Sequence, residues 1–194
     1  MYKNIKDEIE KYLPKYLSPE TEASLFENLK DFPKKFNIYS NIKSNFLMQG
    51  DGIVYNNKKI LLISNTCDMD STNNKRFISM SILYAQICSL DKTEKILKKN
   101  NYDSSRINNF ISSIKSHKVT NIFYLPKNEV LQEDSFIMFD KINNMPNNIS
   151  QSELLENKLF TLNQTGFYLF LLKLSIHFTR MCEKIDRDNP NYIN

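Results

Sequence analysis

A polar segment that directly follows an apolar run is the first place in the sequence where chemistry can be expected. The run covers residues 59–64, and the segment consists of Asn65, Thr66, Cys67, Asp68 and Asp70, with Met69 among them. Side chains at the end of a buried strand are held in position by that strand, which favours site building. Cys67 would act as a nucleophile only with a base nearby.

The same segment has a structural interpretation. The oxygens of Thr66, Asp68 and Asp70 would accept backbone amides in a turn, with Cys67 as a small core residue. Asp68 is then expected to be half-buried and paired, with Arg76 or loop amides as its partners. Arg76 would form a structural ion pair there or, alternatively, clamp a phosphate.

Basic residues recur at helical spacing near the end of the chain. Spacings of 4, 3, 4 and 3 place them on one helix face, predicted to lie opposite the core residues: Lys173, His177, Arg180, Lys184 and Arg187. Basic residues in such a row can contact successive phosphates of a nucleic acid. It can also be an ordinary solvated face whose cations suit the C-terminal half of a helix.

The sequence argues against a metal or cofactor. Asp68, Asp70 and Thr72 have calcium-loop spacing, but Asn73 and Ser79 stand where glycine and glutamate are required. Cysteines at 67, 88 and 182 lack the close pairs of zinc sites. The chain has only three glycines, so dinucleotide loops, phosphate-binding loops and nucleophile elbows are excluded. We therefore expect no cofactor and no metal.

Composition indicates one compact domain that buries a sizeable core. The chain has 194 residues, 41% of them hydrophobic, and a net charge of +4. Three cysteines do not make a disulfide framework, which favours a reducing cytoplasm. The most apolar stretch, 167–178, is too short to span a bilayer, and no signal peptide is visible, so no membrane association is expected.

Hydrophobic periodicity predicts an α+β fold within a single domain, 1–194. Residues 1–35 are predicted as N-terminal helices, with a start at Ser18-Pro19-Glu20. A small curved barrel is expected over 46–142, with strands in 46–88 and 119–142 and a helical insertion at 91–117. Within it the sequence predicts a hairpin at Asn56-Asn57, strands at 77–82, 120–125 and 135–141, and a loop at 143–148. C-terminal helices should occupy 150–187, with a cap at Ser150 and a long helix from about Asn163.

The segments Gly50-Asp51-Gly52-Ile53-Val54 and Lys59 to Asn65 resemble the opening of MazF/PemK-type toxins. That resemblance covers residues 47–85 and implies a Src-homology-3-like barrel that cuts single-stranded RNA. Lys59-Ile60 replaces the family's Arg-Pro, and Ser79-Met80-Ser81 lies where the family has Pro and a catalytic hydroxyl. A ribonuclease would use Lys58 or Lys59, Arg76 and Ser81 as its catalytic groups.

A wider resemblance is to bacterial proteins with a "Ser-x-Thr-Cys-Asp" strand end. It includes Tyr124-Leu125-Pro126 and the helix segment Leu174 to Arg180, and it implies a related barrel near mobile or defence genes. Two function classes follow. One is a non-enzymatic regulator or adaptor in a phage-defence or toxin–antitoxin-like system, bound to a protein partner encoded nearby. The alternative is a MazF-type endoribonuclease acting on single-stranded RNA. A homodimer is left open.

Overall fold

The computed structural model describes residues 37–42, 44–70, 81–147, 149 and 151–178. The predicted N-terminal helices, Arg76, Ser150, Arg180, Lys184 and Arg187 lie outside these residues. The described part is mixed α+β, with two antiparallel sheets. No described helix has both the length and the apolar character needed to cross a membrane.

The elements follow one another in a simple order. The strands are β1 Gly52–Tyr55, β2 Lys58–Leu62, β3 Ser81–Gln86, β4 Cys88–Ser89, β5 Ile122–Leu125, β6 Ser135–Met138, β7 Ile142–Pro146 and β8 Lys158–Phe160. The helices are α1 Thr66–Met69, α2 Leu90–Lys99, α3 Ser104–Lys115, α4 Gln151–Glu156 and α5, described over Gln164–Phe178.

A five-stranded sheet, in the order β7-β3-β2-β1-β8, adjoins a three-stranded sheet, β4-β6-β5. The chain passes between the sheets twice, at Ile87 from β3 into β4 and at 139–141 from β6 into β7. The described strands thus form two open sheets that meet at a corner. Closure into the predicted barrel is not seen among them.

The larger core lies between the two sheets and α5. It contains Leu61, Ala85, Phe123, Ile137 and Phe170 among others, all of them buried. Gly166 allows α5 to approach the chain at Ile38, since a Cβ there would lie 2.4 Å from the Ile38 carbonyl oxygen. The opposite face of the five-stranded sheet has its own buried cluster, which includes Ile60, Ile82 and Leu154.

Local signals in the sequence are confirmed at several points. Asn56 and Asn57 both have positive φ, 48° and 60°, and connect β1 to β2 as the predicted hairpin. The Asn163 side chain caps α5 by accepting the Gly166 amide. The predicted insertion at 91–117 is helical, since it contains α2 and α3.

Other boundaries differ from the prediction. Helix α2 begins at Leu90, one residue before the predicted insertion, and its cap is Ser89, whose Oγ accepts the Lys92 amide at 3.1 Å. The predicted loop 143–148 is wrong at its start, because β7 continues to Pro146. Proline is accommodated there because β7 is an edge strand. The sequence did not predict β8, which is only three residues long.

Candidate nucleic-acid interface

The segment 65–70 is a one-turn helix anchored to its surroundings. Asn65 caps α1 by accepting the Cys67 amide, and Thr66 Oγ1 accepts the Gln49 amide at 3.0 Å. Asp68 is half-buried, as predicted, and Asp70 is exposed. The structural interpretation is therefore confirmed for the Thr66 oxygen, and the Asn65 cap is an addition to it.

Cys67 is exposed, so its interpretation as a core residue is wrong. Met69 instead points into the cluster on the outer face of the five-stranded sheet. His117 and His177 contact Phe123 and Phe139, which belong to the core on the other side of that sheet. The sheet thus stands between Cys67 and both histidines, and neither can serve as its base.

Lys59 and Ser81, two of the predicted ribonuclease residues that the structure describes, are not brought together. The Ile87 amide bonds to the Lys59 carbonyl at 2.8 Å, so Lys59 lies beside the end of β3. Ser81 begins β3, six residues earlier. At about 3.3 Å per residue the two lie roughly 20 Å apart, too far to act on one phosphate. Both side chains are exposed.

The predicted solvent-facing basic row on the last helix is wrong at Lys173. This residue is only 5% exposed, and its Nζ donates to the carbonyls of His117 and Val119 at 2.9 and 2.8 Å. Burial lowers the pKa of Lys173 to about 8. These two hydrogen bonds of Lys173 therefore hold α5 against the residues that follow α3. His177 is half-buried, its ring centroid 5.8 Å from that of Phe139.

Asp51, in the Gly-Asp-Gly segment, stabilises the fold through buried polar contacts. It is fully buried, and its Oδ2 accepts the Met48 amide and the Lys158 ammonium, each at 2.8 Å. Burial raises the pKa of Asp51, an effect that the Lys158 ammonium and the Met48 amide oppose. The pair joins β8 to the turn before β1.

Among the described residues, the outer face of the five-stranded sheet is covered only in part. Met69 of α1 and Leu154 of α4 pack with Leu62 and Ile82 in the buried cluster of this face. Other side chains on the same face, some of them directly opposite buried residues, are exposed or half-buried. We call these side chains the tyrosine platform: Tyr55, Lys58, Tyr84, Gln86, Lys141 and Asn143.

Strand register places these side chains on one face. Tyr55 is directly opposite Lys58, Gln86 is opposite the buried Ile60, and Asn143 is opposite Tyr84. Directly opposite residues project to the same side of a sheet. The tyrosine rings meet edge to face with their centroids 6.0 Å apart.

Two lysines lie near the tyrosine pair, Lys58 directly opposite Tyr55 and Lys141 at the edge strand β7. Lys58 is exposed at the start of β2, and Lys141 is exposed just before β7. Lys141 also acts on Cys88: burial raises the pKa of that thiol, and the nearby ammonium opposes the rise. Aromatic rings flanked by cations on an open sheet face form a surface on which bases stack while phosphates are neutralised.

Sequence reasoning named neither tyrosine, because their meeting depends on the register of three strands. The composition around the Asn56-Asn57 hairpin, an aromatic residue followed by lysines, could have indicated Tyr55 but not Tyr84. The chain matches no protein-family model and no curated protein.

Proposed function

We propose that this protein binds single-stranded RNA on the tyrosine platform. The observation that carries the proposal is the half-buried Tyr55–Tyr84 pair on the outer sheet face, with the exposed Lys58 and Lys141 on the same face. Each stacked base contributes about 1–3 kcal/mol in such sites. The resemblance to RNA-cutting toxins favours RNA over DNA and a barrel-related origin for the two sheets.

Binding, rather than cleavage by the predicted residues, fits the arrangement better. Lys59 of β2 lies beside the end of β3 and Ser81 lies at the start of β3, so the two do not form one active site. Gln86 and Asn143 offer amides beside the rings, which suit base edges. The platform therefore has recognition groups for bases and for phosphates.

Fluorescence anisotropy with a labelled single-stranded RNA of mixed sequence tests the proposal. Tyr84→Ala and Tyr55→Ala should each weaken binding about 5- to 100-fold, the equivalent of one lost stacked base. Tyr84→Phe keeps the ring and should bind like the parent. Leu83→Ala is the matched control, since Leu83 is exposed beside Tyr84 on the other face.

Salt dependence provides a second measurement. Lys58→Ala with Lys141→Ala should reduce the slope of log affinity against log salt by about 1.4, because each lost phosphate contact contributes about 0.7. Parent protein that fails to bind the RNA, or alanine variants of folded protein that bind as tightly as the parent, would overturn the proposal.

The protein-binding regulator stays a second proposal. Tyr102 and Phe110, on the inserted helical segment, are 56% and 38% exposed, and large apolar side chains at a surface suit a protein partner. A purified chain that binds no RNA at any salt concentration would favour this function over the first.

A further inference from the structure

Helix α2 presents a row of lysines to solvent. Lys92, Lys95 and Lys99 follow at i, i+3 and i+7, and all three are exposed; we call them the α2 lysine row. Leu90 is buried and Leu97 half-buried on the opposite side of the helix. Ile96, 59% exposed, lies among the lysines.

The row differs from the fourth exposed lysine of this helix. Lys98 Nζ lies 2.6 Å from Glu94 Oε1, so a carboxylate on the same helix partly neutralises its charge. On a helical wheel Glu94 and Lys98 lie to one side of the row, and Asp91 lies at its edge. The face of Lys92, Lys95 and Lys99 is therefore the strongly basic face of α2.

The α2 lysine row and the tyrosine platform lie on the same side of the molecule. Ile87, at the passage from β3 to β4, points into the core between the sheets. Gln86 and Cys88 flank it and therefore project outward, by strand alternation. Gln86 belongs to the platform, and Cys88 packs in the cluster beneath α2 and α3.

The two surfaces are also close along the chain. Helix α2 begins at Leu90, four residues after the end of β3. From Gln86 to Lys92 the chain can span at most about 20 Å, and the row itself extends about 10 Å along the helix axis. An RNA strand that leaves the tyrosine platform beside Gln86 thus reaches the α2 lysine row next.

We propose that the α2 lysine row binds the phosphates of the same single-stranded RNA as it leaves the tyrosine platform. This inference rests on the proposed function and extends its footprint from the sheet to the inserted helices. Phosphates are the complementary charge for a face of three ammonium groups, and Ile96 provides an apolar contact for a sugar or base between them.

Affinity as a function of RNA length tests the inference. Oligonucleotides from about 4 to about 20 nucleotides bracket the usual site sizes of open sheet platforms. The parent protein should gain affinity with length beyond the platform's own footprint. The triple variant Lys92→Ala, Lys95→Ala and Lys99→Ala should match the parent on the shortest RNA and stop gaining affinity at a shorter length.

The salt slope on a long RNA should also fall by about 2 in the triple variant, three contacts at about 0.7 each. Lys98→Ala with Lys115→Ala is the charge control, since each removes an ammonium already 2.6 Å from a carboxylate. This control should retain the parent's length dependence.

The outcomes separate the inference from the proposed function. A triple variant that follows the parent at every length overturns the inference alone. A triple variant weakened by the same factor at every length also overturns it, because general electrostatics would then explain the loss. Parent protein that binds none of the RNAs overturns the proposed function itself.

Discussion

The lysines of helix α2 and the one lysine in the described part of helix α5, Lys173, are placed in opposite ways. On α2 the lysines of the row are exposed, whereas Lys173 of α5 is buried and bonded to two backbone carbonyls. The difference lies in the neighbours. Lys173 stands among Phe170, Leu172 and Leu174, on a helix with apolar residues on nearly every side, so its stem packs in the core. The spacing of basic residues in the sequence therefore does not decide whether their charged groups are exposed to solvent.

The largest expected effect comes from reversing the charge on each helix. Lys173→Glu would place a carboxylate against the carbonyls of His117 and Val119, at a buried position. We expect the free energy of unfolding to fall by at least about 3 kcal/mol, measured by urea denaturation. Lys95→Glu, with the same change on the exposed helix, should lie within about 0.5 kcal/mol of the parent. Similar losses for both variants would contradict the comparison.

A second difference between the two regions is their response to pH. His117 lies next to the buried end of α3, with its ring near those of Phe123 and Tyr124. Burial, and then the Lys173 charge, lower the pKa of His117 to about 3 from its ordinary 6.5. Below pH 6.5 the His117 side chain is therefore protonated in the unfolded chain but not in the folded chain. The free energy of unfolding then decreases as the pH falls.

Between about pH 6.5 and pH 5 the titration of His117 alone should lower the free energy of unfolding by about 1.5 kcal/mol. His117→Phe keeps an aromatic ring and removes the titration, so its stability should change less over that interval. The window lies above the titration of most carboxylates, which keeps their contribution small. Equal slopes for parent and variant would show that His117 is protonated in the folded protein as well.

What the sequence predicted, and what it did not, follows the range of the interactions involved. The Asn56-Asn57 turn and the start of the last helix near Asn163 depend on neighbouring residues and were predicted. The burial of Lys173 depends on carbonyls 54 and 56 residues away, and the Tyr55–Tyr84 contact on the pairing of β1, β2 and β3. The separation of Lys59 from Ser81 likewise required the β2–β3 register, because the polar, irregular residues 66–75 between them do not fix it.

The smallest expected effect concerns the stability of the α2 lysine row. Lys92→Ala, Lys95→Ala and Lys99→Ala together should leave the free energy of unfolding within about 0.5 kcal/mol of the parent, since exposed side chains far from the core contribute little. Alanine is at least as good a helix former as lysine, which offsets the lost attraction between the cations and the C-terminal end of the helix dipole. Urea denaturation and far-ultraviolet circular dichroism provide the measurement. If the triple variant unfolds much more easily than the parent, the row supports the helix itself, and α2 resembles α5 more than its exposure indicates. If stability is kept while the RNA length dependence is lost, the row contributes to binding and not to the fold.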